Sequence, residues 1–427
     1  MTAKRVRSLD PSKFPVVEHR LPNGLQILLL PKQNVPAVSY TTFFRVGSRN
    51  EEPGLTGMAH FLEHMMFNGA EKYGPKEFDR TLETVGGTSN AYTSHDLTVY
   101  FEDFPSEALE TVIDLESDRM RSLALDPVLF ESEREVVKEE RRYRVDNDLF
   151  GTMEEALSSL IFRAHPYRWP VIGWMGDLDA ATREDAMRFF RTYYAPNNAL
   201  LMVVGDVDPD HALARIEAAY RDIPAGPPVP EVRDAEPEPN GERRARVDFP
   251  SHTPALLLGY RSLSASHADT PAVELLETAL GHGDSSILMQ KLVYEGELAS
   301  DVHVGHDLRI DPSAFLVFAE LPPGGDPARV EDAIYGELAR IAREGGDEAT
   351  LRRAKAIVRS SILNAFSSHA GIAHALGEHQ VLFGDWREAL MVLERYEAVT
   401  NEDLQRVAGT LFQASNRSVV TVIPEEA

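Results

Sequence analysis

His60-Phe61-Leu62-Glu63-His64 brings two imidazoles and a carboxylate within five residues. The run from Gly57 to Phe67 reads as a helix, with residues 60, 63, 64 and 67 on one side. Phe61, Leu62, Met65 and Met66 form the apolar stripe that would face a core. One helical turn separates the histidines, so both can turn a ring nitrogen to a single metal ion. Glu63 projects beside them, less suited to the same ion and well placed to take a proton from water. The plainer alternative is an amphipathic helix with two surface histidines. Histidine is scarce, 14 in 427 residues, which makes this arrangement by chance uncommon.

A zinc ion held by His60 and His64 needs a third protein ligand and leaves the fourth position for water. A second helix is expected to open at Asp126-Pro127, a cap followed by proline at the first helical position. Along it Glu133, Val136, Val137 and Glu140 fall at i, i+3, i+4 and i+7, on one face. Glu135 with Lys138, and Glu139 with Arg142, lie off that face as surface pairs. Two carboxylates beside an apolar pair are costly unless a metal or hydrogen bonds compensate them. Seven helical positions separate them by ~10 Å, so they cannot both ligate one ion. One is expected to bind metal and the other to support a ligand; spacing alone does not say which.

The elements that must position these groups fall into two similar halves. Strand-like runs (Leu25–Leu30, Ser39–Val46, Thr98–Phe104; Ala255–Tyr260, Ala314–Leu321) alternate with long amphipathic helices. Each half closes with Thr and acidic residues, a helix, and a strand, Ala199 to Val204 and Ser418 to Ile423. Thr182, Glu184, Asp185, Arg188, Thr192, Asn198 and Val204 recur as the same residue type 218 positions later. A proline-rich acidic segment, Pro224 to Asn240, separates the halves. The expected fold is α+β: two duplicated homologous domains, each a largely antiparallel sheet packed with helices. Their expected bounds are 1–225 for the metal-binding domain, 226–241 for the linker and 242–427 for a second domain without a metal site.

A net charge of −25 argues against a surface built to neutralise phosphates, so no nucleic-acid partner is expected. The absence of cysteine excludes thiolate ligands and disulfides. The basic N-terminus lacks an apolar signal core, and no run is long enough to span a bilayer. A cytoplasmic location is therefore expected, or a periplasmic one if an export signal has been trimmed.

Arg45-Val-Gly-Ser-Arg, Gly57-Met-Ala-His-Phe-Leu-Glu-His-Met-Met-Phe-Asn-Gly, Asn90-Ala-Tyr-Thr and Glu133-Arg-Glu-Val-Val-Lys-Glu-Glu140 resemble the pitrilysin and processing-peptidase zinc peptidases. H-x-x-E-H is the inverted zinc-protease motif. The resemblance covers nearly the whole chain. It implies one Zn2+ per chain on His60, His64 and Glu140, Glu63 as general base and Glu133 supporting the site. It implies that peptide adds as a strand at Asn90 and Ala91, with backbone hydrogen bonds giving affinity. His95 nearby has no partner at helical spacing and is not expected to ligate.

Fully equipped members of that family carry an Arg and, seven residues later, a Tyr that hold the substrate backbone. Here those positions align with Val293 and Ser300. The resemblance therefore implies a zinc endopeptidase subunit acting on unfolded peptides, in a heterodimer with a homologous chain bearing Arg and Tyr. A non-catalytic scaffold or peptide-binding subunit is the alternative. His369, His374 and His379 sit five apart, on different helix faces, and are expected to be surface or partly buried residues.

Overall fold

The computed structural model describes residues 9–233 and 235–424. Among them, eleven strands form two sheets. The first half supplies β1 (Val17–Arg20), β2 (Gln26–Pro31), β3 (Ala37–Phe44), β4 (Thr88–Thr93), β5 (Thr98–Pro105) and β6 (Ala199–Gly205). The second supplies β7 (Arg243–Val247), β8 (Ala255–Arg261), β9 (Asp301–His306), β10 (Ala314–Glu320) and β11 (Arg417–Val422). The expected strand runs appear here, displaced by no more than a residue or two at their ends.

The sheet orders are β1-β2-β6-β3-β5-β4 and β7-β11-β8-β10-β9. Apart from the added β1, they superimpose in order and sense: one parallel pair (β2 with β6, β7 with β11), then antiparallel pairs throughout. The repeated residues do the same work twice. Thr182 and Thr400 each cap a helix in a reciprocal box with Asp185 and Asp403. Asn198 and Asn416 each donate to the carbonyl five residues back, Tyr193 and Leu411, at 2.8 Å. Each also bonds the carbonyl beyond or at the end of the central strand, Arg45 at 3.2 Å and Arg261 at 2.9 Å.

β6 is buried along its whole length, so both faces of the first sheet are covered. One face packs on helices of its own half, including Leu109–Ser122 and Pro209–Tyr220. The other is covered from the second half: Ile372, Ala373 and Leu376 of helix His369–Leu382 pack on Phe43, Leu200, Met202 and Val204. The converse also holds. Met153, Leu157 and Ile161 of helix Leu149–Ile161 pack on Leu257, Val420 and Val422 of the second sheet. The halves thus exchange equivalent helices.

Residues 224–240 contain no helix or strand among those described. They still grip the surface, since the Glu236 carboxylate accepts the N–H groups of Arg163, Ala164 and His165 at 2.7, 2.8 and 3.1 Å. The turns at equivalent places in the two sheets also meet. Asp96, between β4 and β5, accepts the Ile310 N–H at 2.8 Å from the loop between β9 and β10, and the Tyr167 hydroxyl at 2.7 Å. No helix among the described residues is long and apolar enough to cross a membrane.

Candidate metal centre

The helix carrying the histidines, Met58–Met65, starts at Gly57 with φ 85°. Gly57 offers no side chain to its exposed N–H groups, and Glu51 supplies the cap instead. Its carboxylate, 5% exposed, accepts the N–H of Gly57 and of Ala59, both at 2.8 Å. Burial pushes that carboxyl well above its ordinary range, against the pull of those N–H donors. Phe61, Leu62, Met65 and Met66 are all buried, as the apolar stripe requires.

The acidic helix Pro127–Arg141 is capped by Asp126, which accepts the Val128 and Leu129 N–H groups at 2.8 and 3.1 Å. It is fixed against the histidine helix by Phe130, edge-on to Phe61 with centroids 4.8 Å apart. Arg141 ties its end to the Gly173 carbonyl at 2.7 Å and to Glu155 at 2.8 Å. Val137 is fully buried, but Val136 is 48% exposed. The shared face is therefore narrower than the sequence suggests, because position i+3 lies about 60° round from i and falls at its margin. Lys138 with Glu135 and Arg142 with Glu139 are surface pairs, as expected.

The two helices bring donor atoms of His60, His64 and Glu140 within 4.8 Å of one another. Glu140 Oε2 lies 3.2 Å from His64 Nε2 and 3.6 Å from His60 Nε2. It is buried, and among the described residues these two rings are its near partners. A carboxylate oxygen facing two imidazole nitrogens is the donor set a zinc ion takes, at bonds of ~2.0–2.2 Å. Glu133 meets the other nitrogen of His64: Nδ1 donates to its Oε1 at 2.8 Å, while Asn68 donates to its Oε2 at 2.8 Å. Arg144 pairs with Glu140 Oε1 at 2.9 Å.

Burial, then the neighbouring His64, pulls His60 down to about 4. Burial also opposes a charge on His64, but the Glu133 and Glu140 carboxylates outweigh it and hold that imidazole up at about 9. Hydrogen bonding to His64 in turn lowers both carboxylates. Both carboxylates favour positive charge at His64, which is the electrostatics a cation at Nε2 would meet.

Glu63 is held by a different element. Thr93, the last residue of β4, donates its hydroxyl to Glu63 Oε2 at 2.6 Å. Burial raises the Glu63 carboxyl, and the Thr93 hydrogen bond opposes that rise. β4 is the edge of its sheet, pairing with β5 alone among the described strands. Asn90 on it is exposed and Ala91 half-buried, and the strand as a whole packs against the histidine helix.

His60, Thr93, Glu140, Glu154 and Trp169 line a cavity of about 390 Å³ that the second half reaches through Asp307 and Arg309. His95 also lines it but lies outside the three-donor cluster. A larger cavity of about 540 Å³ surrounds Glu274 and Tyr396 in the second half, where no such cluster is found among the described residues. Donor chemistry, and not volume, therefore marks the site. Val293 packs partly against the second core, and Ser300 is exposed with its hydroxyl on the Glu320 carbonyl at 3.0 Å. His374 packs on Phe43, Tyr92 and Phe101, and His379 on Phe383.

Residues 27–173 match the model described as Insulinase (Peptidase family M16), and residues 180–358 that of the Peptidase M16 inactive domain. The zinc protease PqqE of Helicobacter pylori is 31% identical over 95% of this chain and 92% of its own. The chain belongs to peptidase family M16. An uncharacterized zinc protease of Mycobacterium leprae is 30% identical over 92% of this chain and 88% of its own. The crystal structure of a protease from Helicobacter pylori matches with a TM-score of 0.92 and 30% identity, covering 96% of this chain and all of that one. The first half of the periplasmic protease PqqL from Escherichia coli, at 21% identity and a TM-score of 0.77, shares the fold over 96% of this chain and 92% of its own. The M16 chain here is therefore zinc-protease-like, with two M16-type domains.

Sequence reasoning missed four supports of this M16 site. Arg144 was legible as an i+4 partner of Glu140. Asn68 and Thr93 stood inside motifs already singled out, but nothing in their spacing says what they touch. Glu51 caps the histidine helix from outside it, a contact that only the folded loop reveals.

Proposed function

We propose that this chain is a zinc-dependent endopeptidase subunit that hydrolyses unfolded peptides in an enclosed chamber, assisted by a homologous partner bearing Arg and Tyr. The observation carrying this reading is the three-donor cluster of His60, His64 and Glu140 with Glu63 beside it. Zinc bound there supplies Lewis acidity toward the scissile carbonyl and the attacking water. Glu133 holds His64 in the tautomer that leaves Nε2 free for the metal. Glu63 keeps Oε2 on Thr93, so Oε1 is the atom that takes the proton from water and passes it to the leaving amine. Asn90 and Ala91 on the β4 edge receive the peptide as an added strand. The domain bounds belonging to this reading are 1–225, a linker at 226–241, and 242–427.

The partner enters because, on the family resemblance, Val293 and Ser300 stand where an Arg and a Tyr are expected, while the described second-half residues lining the cavity are Asp307 and Arg309. Losing one donor to a developing oxyanion costs ~10²–10³-fold in turnover. The test is to purify the full chain, measure bound zinc, and assay a quenched unstructured peptide with and without the homologous chain. Zinc at one per chain, weak cleavage alone and strong cleavage with the partner are expected, abolished by a chelator. Equal cleavage without the partner would remove the split site. Absence of bound zinc and of cleavage under both conditions would favour a scaffold or peptide-binding subunit, a reading suggested by the inactive-domain match of the second half.

A further inference from the structure

Thr93 links the strand edge to the general base. Its hydroxyl has one proton, given to Glu63 Oε2 at 2.6 Å, a length typical of an O–H donor on an ionised carboxylate. The Glu63 carboxylate has no other hydrogen bond among the described residues. The hydroxyl itself is placed by the sheet. Thr93 faces Thr98 across the β4–β5 ladder, and the turn between them is closed by Ser94 N–H on the Leu97 carbonyl at 2.7 Å. Thr98 is fixed in turn by donating to the Val46 carbonyl at 2.9 Å. The turn is then pinned from outside by Asp96, which accepts from Tyr167 and from Ile310 of the other half. The Thr93 hydroxyl thus joins the end of the edge strand to the one carboxylate of the motif helix.

We propose that Thr93 is the positioning residue for the Glu63 carboxylate, and that through it the β4 edge and the interdomain turn set the direction of the base. This rests on Glu63 being the base, as proposed above. A rotated Glu63 still leaves His60, His64 and Glu140 in place, so the metal and the edge strand are unaffected while proton transfer is misdirected.

The experiment compares Thr93→Val and Thr93→Ser in the zinc-loaded full chain with its partner. Val keeps the shape and removes the donor; Ser restores it. Thr93→Val is expected to retain one zinc and an unchanged KM but to lose ~10-fold or more in kcat, as loss of a hydrogen bond to a charged acceptor implies. Thr93→Ser should return to within ~3-fold of the parent. In a Glu63→Gln background, Thr93→Val should have no further effect, since the two act as one unit. Parent-like kcat in Thr93→Val beside a dead Glu63→Gln overturns the Thr93 proposal alone. Parent-like kcat in Glu63→Gln overturns the base assignment itself. A crystal structure of Thr93→Val supplies a readout free of turnover: an unmoved Glu63 carboxylate overturns the proposal, and a rotated one supports it.

Discussion

At the residue scale, the site separates two carboxylates that spacing could not. Glu133 and Glu140 occupy one helix face, yet Glu140 reaches both Nε2 atoms whereas Glu133 reaches Nδ1 of His64. Glu140→Ala should therefore empty the site, read as zinc per chain after dialysis. Glu133→Ala should lower affinity or turnover by ~10–100-fold, since it removes only the group that orients a ligand. The opposite order of metal loss would reverse the two roles. Glu63→Gln should keep its zinc and lose at least ~10²-fold in turnover, because it touches no metal donor and removes the proton acceptor. The histidine face was legible because a five-residue motif on a helix has only one geometry. Glu63's partner was not, since Thr93 lies thirty positions on, in another element.

At the element scale, the helices are placed by contacts at their ends. The expected helix around His60 is real, but what starts it is a glycine in the left-handed region and a buried carboxylate from the preceding loop. A Cβ on Gly57 would stand 2.5 Å from the Ile172 carbonyl oxygen, and φ is 85° there. Gly54 has a similar φ of 94° with nothing within 4 Å of a Cβ. The pair separates two costs. Gly54→Ala should lose only ~1–2 kcal/mol, the conformational term. Gly57→Ala adds a clash with backbone and should lower the melting temperature further, with weaker zinc retention because His60 lies three residues on. Equal melting temperatures for the two variants would mean that close packing on Ile172 does not hold this helix. Strands were well anticipated, since their apolar runs need only length and burial. Val136 shows the limit of pattern reading: a face drawn from periodicity does not fix how wide the neighbour is that covers it.

At the scale of the whole molecule, the duplication was visible in the recurring Thr, Asp and Asn positions, but the exchange of helices was not. Periodicity shows that helices 149–161 and 369–382 have apolar sides; it does not show whose sheet they cover. The exchange makes the proline-rich segment a boundary of sequence and not of stability. Cut there, the first half would expose Leu28, Leu30, Phe43, Leu200, Met202 and Val204, now buried under residues of the second half. The second half would lose Met153, Leu157 and Ile161 from its own sheet. Each large apolar side chain so exposed costs ~1.5–3 kcal/mol. Several together match the ~5–15 kcal/mol that stabilises a typical domain. Halves expressed separately should therefore aggregate or remain without a cooperative thermal transition, while co-expressed halves should associate and retain zinc. A chain nicked by a protease inside the linker should stay in one piece on a sizing column. Gly377→Ala tests the same contact without cutting the chain: a Cβ there would stand 2.2 Å from the Phe43 ring. It should lower the stability of both halves together, in one transition. Independent folding of the isolated first half, with a melting temperature near that of the full chain, would show that the exchanged helix contributes little.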